Sequence, residues 1–552
     1  MNTQTEKTGE IFGRDPDWWR GAVIYQIYPR SYQDSNGDGI GDIAGIVSRL
    51  DYIASLGVDA IWLSPFFTSP MQDFGYDVAD YRDVDPMFGT LADFDLLVEE
   101  AEKRGLRILI DLVLSHTSDL HPWFKESRGS RDNARADWYV WTESKPDGTP
   151  PNNWLSVFGG SAWEWDTGRC QYYLHNFLAS QPDLNFHNPA VQDAVLDVAR
   201  FWLQRGVGGF RLDTVNFYFH DKELRDNPAA PPGTEVSTVP KSNPYARQLH
   251  LYDKSRPENL KFLERLRAVM DEFPAITSVG ELGTDNDVYA LTAAYTEEDK
   301  RLHMAYSFDL LGPNNTAGHV RSAAAAMNEG IGSGWPSWAL SNHDFARVVS
   351  RWGHQAEAER FAPLALALVG CLRGSPCIYE GEELGLTEAD VPYERLQDPY
   401  GKRFWPAFKG RDGCRTPMPW TSQGPNAGFT AGEPWLPVPS DHLARSVAAQ
   451  DGKPGSVLER ARTFINWRKH QTALQKGGMR FLDVPEPLIA FERSHGNESV
   501  LVVLNLGAEP ASAEIAGLPA ATALEGHGFA GARVKDGSLT LPGFGAWFGR
   551  ME

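Results

Sequence analysis

The sequence predicts an α/β fold: a (β/α)8 TIM barrel with an inserted domain after strand three and a C-terminal antiparallel β-sandwich. Eight short apolar runs alternate with amphipathic helical stretches. Such alternation makes a parallel sheet, and eight strands are the number that closes a barrel. One connection, after the third run, is far longer than the rest. From about Gly477 the pattern changes to short alternating runs separated by Gly and Pro turns, the signature of antiparallel strands.

The expected strands are 23–28, 60–63, 107–112, 209–212, 276–279, 303–308, 338–340 and 376–379. Between them, 43–56, 91–104, 190–204, 258–271 and 360–372 carry apolar residues at three-four spacing and read as helices. The stretch 117–186 is rich in Trp, Gly, Asp and Ser, and a connection that long is seldom structureless, so it reads as a small domain leaning over the barrel mouth. The expected division is 1–116 with 187–476 for the barrel, 117–186 for the insert and 477–552 for the sandwich. Segment 227–244, rich in Pro and Ser, reads equally as a lid or as a static surface loop.

A formal net charge of −21 argues against nucleic acid and anionic membrane, because a polyanion is repelled. No run of about eighteen apolar residues offers a membrane span. The polar start lacks the apolar stretch of a secretory signal, so a cytoplasmic protein is expected. The four cysteines show neither CxxC pairing nor metal-finger spacing and read as buried or inert thiols. The expected partners are small molecules, and the expected state is a monomer or a weak homo-oligomer.

Asp213, Glu281 and Asp344 each follow a short apolar run. The C-terminal ends of barrel strands converge on one open face, so the three carboxylates should meet there. Arg211 lies two residues before Asp213 and shares its face. Its guanidinium should keep Asp213 ionised, as a nucleophile requires, although a structural ion pair has the same signature. The less polar wall around Glu281 should raise its pKa and suit it to general acid catalysis. On adjacent strands the two could approach the roughly 5 Å spacing of retaining glycosidases.

His116 and His343 also fall at strand ends and suit hydrogen bonding to sugar hydroxyls; neither sits in an HxH or HExxH pattern. The loop DSNGDGIGD brings Asp34, Asn36, Asp38, Ile40 and Asp42 to the spacing of an EF-hand-type loop. It is expected to hold one structural divalent cation, calcium or magnesium, with a plain Asx-turn loop as the alternative. No organic cofactor is expected. Glu380, Glu382 and Glu383 read as capping or solvating the next helix, and Trp154, Trp163 and Trp405 as possible sugar platforms.

The segments GVDAIWLSP, DLVLSH, QPDLN, GFRLD, VGE, SNHD and GSPCIYEGEELG occur in this order, and from about Trp18 to the C-terminus the chain resembles the α-amylase family of glycoside hydrolases (family 13), in its α-glucosidase and oligo-1,6-glucosidase branch. The resemblance implies Asp213 as nucleophile, Glu281 as acid/base and Asp344 as the carboxylate that binds the sugar's 2- and 3-hydroxyls. It implies Asp73, Tyr76, His116, Phe177, Arg211, His343 and Arg411 as substrate-binding residues. Thr214, after the nucleophile, stands where the branch commonly carries Val in α-1,6-preferring enzymes and Ala or Thr in α-1,4-preferring ones. The segment DPYGKRFWPAFKGRDGCRTPMPW resembles that of bacterial α-glucosidases acting on short substrates, whereas RLQDP at 395–399 departs from the RLDRD-type motif of isomaltulose synthases. The implied activity is exo-acting retaining cleavage of maltose-like or sucrose-like α-glucosides, α-1,4 before α-1,6, with transglucosylation. The alternatives are a trehalose- or isomaltulose-forming glucosyl mutase or transferase, or a non-catalytic binding subunit.

Overall fold

The computed structural model describes residues 15–234, 239–283, 287–306, 308–424 and 426–551. The barrel strands are β1 (Ile24–Ile27), β2 (Ala60–Leu63), β3 (Arg107–Leu112), β4 (Gly209–Leu212), β5 (Thr277–Glu281), β6 (Met304–Tyr306), β7 (Ser337–Ala339) and β8 (Ser375–Tyr379). Their spatial order is β6-β5-β4-β3-β2-β1-β8-β7, every pair parallel. A parallel bridge between Ala305 and Pro336 brings β6 against β7 and nearly closes the barrel. The expected strand bounds hold to within two residues at either end. They were readable because seven of the eight strands are buried at every position and the eighth at all but one, which gives predominantly apolar runs. Gly209 opens β4 for a steric reason: a Cβ there would lie 2.1 Å from the Thr277 carbonyl oxygen on β5.

The helix expected over 43–56 is two, Ile43–Ser48 and Leu50–Ser55, broken at Arg49 (φ −110°, ψ 5°). The Arg49 guanidinium bonds Gln33 Oε1 at 2.6 Å and covers the Trp420 ring at 4.1 Å. Those long-range contacts leave no mark in the local apolar period.

Between β3 and β4 lie the helix Pro122–Gly129 and a small antiparallel sheet, with Gln171–Leu174 paired between Trp141–Thr142 and Trp163–Asp166. Trp154 and Trp163 stack on each other at 5.8 Å in the core of this insert, and Trp405 packs on Tyr393. None of the three lines the cavity at the C-terminal ends of the barrel strands, so they are packing residues and not sugar platforms. At the C-terminus a five-stranded and a three-stranded antiparallel sheet share one apolar core that includes Leu488, Leu501, Leu539, Leu541 and Trp547. The sandwich thereby buries the alternate faces that its sequence period displayed.

Glu380, Glu382 and Glu383 neither cap nor solvate a helix. They are 1%, 8% and 0% exposed beyond β8, and Glu383 accepts the Tyr25 and Tyr52 hydroxyls at 2.7 Å each. Cys371, Cys377 and Cys414 are buried and Cys170 is exposed. Among the described residues no helix is long and apolar enough to cross a membrane.

Candidate active site

Asp213 follows β4 directly and Glu281 is the last residue of β5, so neighbouring parallel strands deliver the two carboxyl groups to one barrel end. Arg211, 1% exposed, joins them. Its Nη1 contacts Asp213 Oδ1 at 2.5 Å and Asp111 Oδ1 at 2.8 Å, while its Nη2 contacts Glu281 Oε1 at 2.6 Å. The Tyr306 hydroxyl donates to the same Glu281 oxygen at 3.0 Å.

Thr214 completes the link through an unusual backbone. At φ 39° and ψ 48° it is a β-branched residue in the left-handed region, which costs on the order of 1–3 kcal/mol. The conformation sends its N–H to Glu281 Oε2 at 3.1 Å and its hydroxyl to Asp213 Oδ2 at 3.1 Å.

Asp344 lies beyond β7 and is held by arginines from the segment after β8. Arg411 Nη1 is 3.2 Å and Arg415 Nη2 2.9 Å from Asp344 Oδ1. Arg411 also contacts Asp73 at 2.8 Å and Asp398 at 2.8 Å, so one guanidinium gathers three carboxylates. Gly410 permits this fold-back: a Cβ there would meet Asp398 Oδ2 and Gly401 Cα, both at 2.7 Å. His343 sits between two rings, stacked with Tyr76 at 5.3 Å and Tyr28 at 5.8 Å, with Nε2 3.3 Å from Asp344 Oδ2. The Tyr76 hydroxyl donates to Asp111 Oδ2 at 3.0 Å. His116 bonds the Tyr76 carbonyl through Nε2 at 3.0 Å, and its ring lies 5.2 Å from Phe177.

These groups open on a cavity of about 440 Å³, within the usual range for small-ligand sites. Asp73, Tyr76, His116, Phe177, Asp213, Thr214, Glu281, Asp344 and Arg411 all line it. Arg211 and His343 stand one layer behind, holding residues that do. The segment expected over 227–244 reaches the cavity through Val239 and Pro240. Asn243 ties it down, donating to the Val157 carbonyl at 2.8 Å and the Tyr400 hydroxyl at 3.0 Å. Residues 235–238 of that segment lie outside the described residues.

Burial pushes Glu281 up to about 7, with the Arg211 guanidinium opposing. Burial outweighs the Arg211 guanidinium and lifts Asp213 to about 6, which is still below Glu281 and leaves Asp213 mostly ionised at neutral pH, in the sense expected of the guanidinium. Burial also works against the Asp344 carboxylate, but His343, Arg411, Arg415 and Arg211 together hold it well below the usual range. Burial lowers His116 to about 4 and His343 to about 3, so both rings are neutral at physiological pH. One carboxyl group can thus carry a proton where a second is ionised, which is the acid/base division that sugar cleavage needs.

Sequence reasoning singled out neither Asp111, Tyr306, Asp398 nor Arg415. Asp111 was detectable, because a charge inside a run expected to be fully buried needs a partner.

The loop after β1 forms a chain of Asx turns. Asp34 accepts the N–H groups of Asn36, Gly37 and Gly39, Asn36 accepts that of Asp38, Asp38 accepts that of Ile40, and Asp42 accepts those of Ser35 and Gly45. Among the described residues no group of three or more His, Cys, Asp or Glu side chains is gathered to hold a metal. The loop offers oxygens, the donor class a hard divalent cation takes, but both Asp34 oxygens are already occupied, by the N–H groups of Asn36, Gly37 and Gly39 and by the Thr430 hydroxyl, whereas Asp38 uses only one of its two.

The chain is 58% identical over its whole length, and the whole length of the relative, to the "Probable alpha-glucosidase" of Rhizobium meliloti (strain 1021). It is 39% identical to the oligo-1,6-glucosidase of Parageobacillus thermoglucosidasius over 88% of this chain and 90% of that one. Among crystal structures, an alpha-glucosyl transfer enzyme, XgtA, superposes with a TM-score of 0.94 at 54% identity, covering 97% of this chain and 99% of that one. The trehalulose synthase MutB from Pseudomonas mesoacidophila MX-45 gives 0.86 at 34% identity over 97% and 99%. With the alpha-amylase catalytic domain matched over residues 26–477 on an eight-stranded parallel barrel, the chain belongs to the alpha-amylase family of glycoside hydrolases.

Proposed function

We propose that this glycoside hydrolase is an exo-acting, retaining α-glucosidase that prefers α-1,4 links in short substrates and also transfers glucose to sugar acceptors. The observation that carries the reading is the sharing of Arg211 by Asp213 and Glu281, which favours the short carboxyl separation of the retaining class, about 5 Å. In the first step Asp213 attacks the anomeric carbon while Glu281 gives its proton to the leaving oxygen. In the second, Glu281 takes a proton from water, which displaces Asp213 from the sugar and restores both groups. The ion pairs that join Asp73, Arg411 and Asp344 across the cavity wall support exo attack, since they close, round one sugar, the end at which a terminal glucose is proposed to sit. Thr214 supports the α-1,4 preference.

A second reading, net transfer to a sugar instead of hydrolysis, is favoured by the similarity to the structures named for glucosyl transfer and trehalulose synthesis. A product time course on maltose, isomaltose, sucrose and maltohexaose, with anomers followed by NMR, decides between them. Early α-glucose from maltose, with little from isomaltose or maltohexaose, is the expected result. Isomeric disaccharides without glucose would establish the transferase, and initial β-glucose from sucrose, whose only glucose is the transferred one, would overturn the retaining assignment. The loop 34–42 is proposed to hold one calcium or magnesium ion in a structural role.

A further inference from the structure

The two oxygens of Glu281 are held unequally. Oε1 lies 2.6 Å from Arg211 Nη2 and accepts the Tyr306 hydroxyl at 3.0 Å, whereas Oε2 accepts the Thr214 N–H at 3.1 Å. Thr214 lines the catalytic cavity together with Glu281, while Arg211 and Tyr306 stand behind its wall. Oε1 is therefore tied to the barrel interior and Oε2 to the cavity side.

Strand register delivers Tyr306 to that oxygen. It ends β6, Glu281 ends β5, and the parallel pairing sets the two residues side by side. Paired neighbours project to the same face of a sheet, here the barrel interior, where Tyr306 is 3% exposed in an apolar cluster with Val279, Met304 and Trp335. Its hydroxyl oxygen accepts from Arg211 Nη2 at 3.2 Å, and its single proton goes to Glu281. Burial raises the phenol well above its ordinary value although the Arg211 guanidinium opposes this, so the proton stays on the tyrosine. Tyr306 is thus a fixed donor.

We propose that Tyr306 is a positioning residue for the acid: together with Arg211 it claims Glu281 Oε1, so that Oε2 carries the proton given to the leaving oxygen. A protonated carboxyl group has one O–H, and two donors converging on Oε1 oppose placing it there. Oε2 takes the Thr214 N–H through a lone pair, which leaves its own O–H to point into the cavity. Tyr306 acts through Glu281 and contacts no reacting atom. The inference rests on the reading of Glu281 as the proton donor.

Tyr306→Phe removes the hydroxyl and keeps the ring. A donor to a carboxylate favours its charged form, so its loss raises Glu281. The alkaline limb of kcat/KM on maltose should move up by about one pH unit, and kcat/KM at the optimum should fall about tenfold. On 2,4-dinitrophenyl α-glucoside, whose leaving oxygen needs no proton, kcat/KM should stay within about twofold. In place of Tyr306, 3-fluorotyrosine is a stronger donor of nearly the same shape and should move the limb down. Because it keeps the hydroxyl, it decides the matter even where the Phe variant folds poorly. The charged groups around Glu281 are Arg211 and Asp213 from β4 and its end, Asp111 from β3, Asp344 from beyond β7 and Lys254 on the cavity wall, and both substitutions leave them in place. A limb that stays put in either enzyme, or an equal loss on both substrates in Tyr306→Phe, would overturn the proposal, since a merely structural tyrosine lowers both substrates together and shifts no limb. Failure of the underlying reading shows separately, as a Glu281→Gln enzyme that keeps its maltose turnover and its alkaline limb.

Discussion

At the scale of single residues the proposed reaction rests on two acids whose surroundings separate their protonation. Asp213 must be a carboxylate to attack, so the rate rises as pH passes about 6; Glu281 must carry its proton, so the rate falls above about 7. A narrow bell with its maximum between those values is expected for kcat/KM on maltose. Glu281→Gln should abolish maltose turnover, spare the first step on substrates with good leaving groups, and erase the alkaline limb in a burst assay. Asp213→Asn should remove turnover on every substrate while leaving the thermal midpoint near that of the wild type. Near-normal maltose activity in either variant would contradict the assignment. Thr214→Val deletes the hydroxyl that bonds Asp213 and should raise the isomaltose-to-maltose ratio of kcat/KM. The three carboxylates were legible because each interrupts the end of an apolar run. Asp111 was legible in principle: β3 and β4 were bounded correctly, and their register sets Asp111 opposite Arg211, two charges that must pair once buried.

At the scale of elements, strands were easier to read than the segments that finish the site. A buried parallel strand declares itself locally, whereas Asp398 and Arg415 act only because the segment after β8 folds back over the mouth. Nothing in the local pattern of 398–411 encodes that return except the glycines that permit it. The tether from Asp398 to Arg411 uses both the side chain and the backbone, at 2.8 Å each. Asp398→Asn weakens a buried, charge-assisted contact worth roughly 1.5–3 kcal/mol, so KM for maltose should rise by about tenfold or more with a smaller change in kcat. Unchanged KM would mean that Arg411 is positioned by Asp73 and Asp344 alone. The loop after β1 makes a different demand. If it holds a cation, a chelator should lower the thermal midpoint, calcium or magnesium should restore it, and Asp38→Ala should abolish the response; Asx turns alone would give no response to either treatment.

At the scale of the whole molecule, the barrel end that carries the chemistry is backed by acids that the chemistry does not use. Burial lifts Glu382 and Glu388 to about 7 each and raises Glu380 and Glu383 as well, despite the Arg347 guanidinium and backbone donors nearby. In the unfolded chain these groups return to the ordinary value of about 4.3. A carboxyl group raised on folding stabilises the native state fully below its unfolded value, and that stability is lost as pH rises through the folded value. Two groups each raised from about 4.3 to about 7 remove on the order of 7 kcal/mol in total between pH 4 and pH 8. Asp344 works in the opposite sense, since its stability is present above about pH 4 and is lost only on further acidification, so it does not offset the loss in this window. The urea midpoint should therefore fall steadily from pH 5 to pH 8. Glu388→Gln keeps an oxygen to accept the Arg347 N–H, which now lies at 2.8 Å, but has no proton to lose. Its midpoint should exceed that of the wild type at pH 8 and converge with it at pH 5. A midpoint that is flat across the range in the wild type, or a variant equally destabilised at both ends, would show that these glutamates keep their charge inside the barrel.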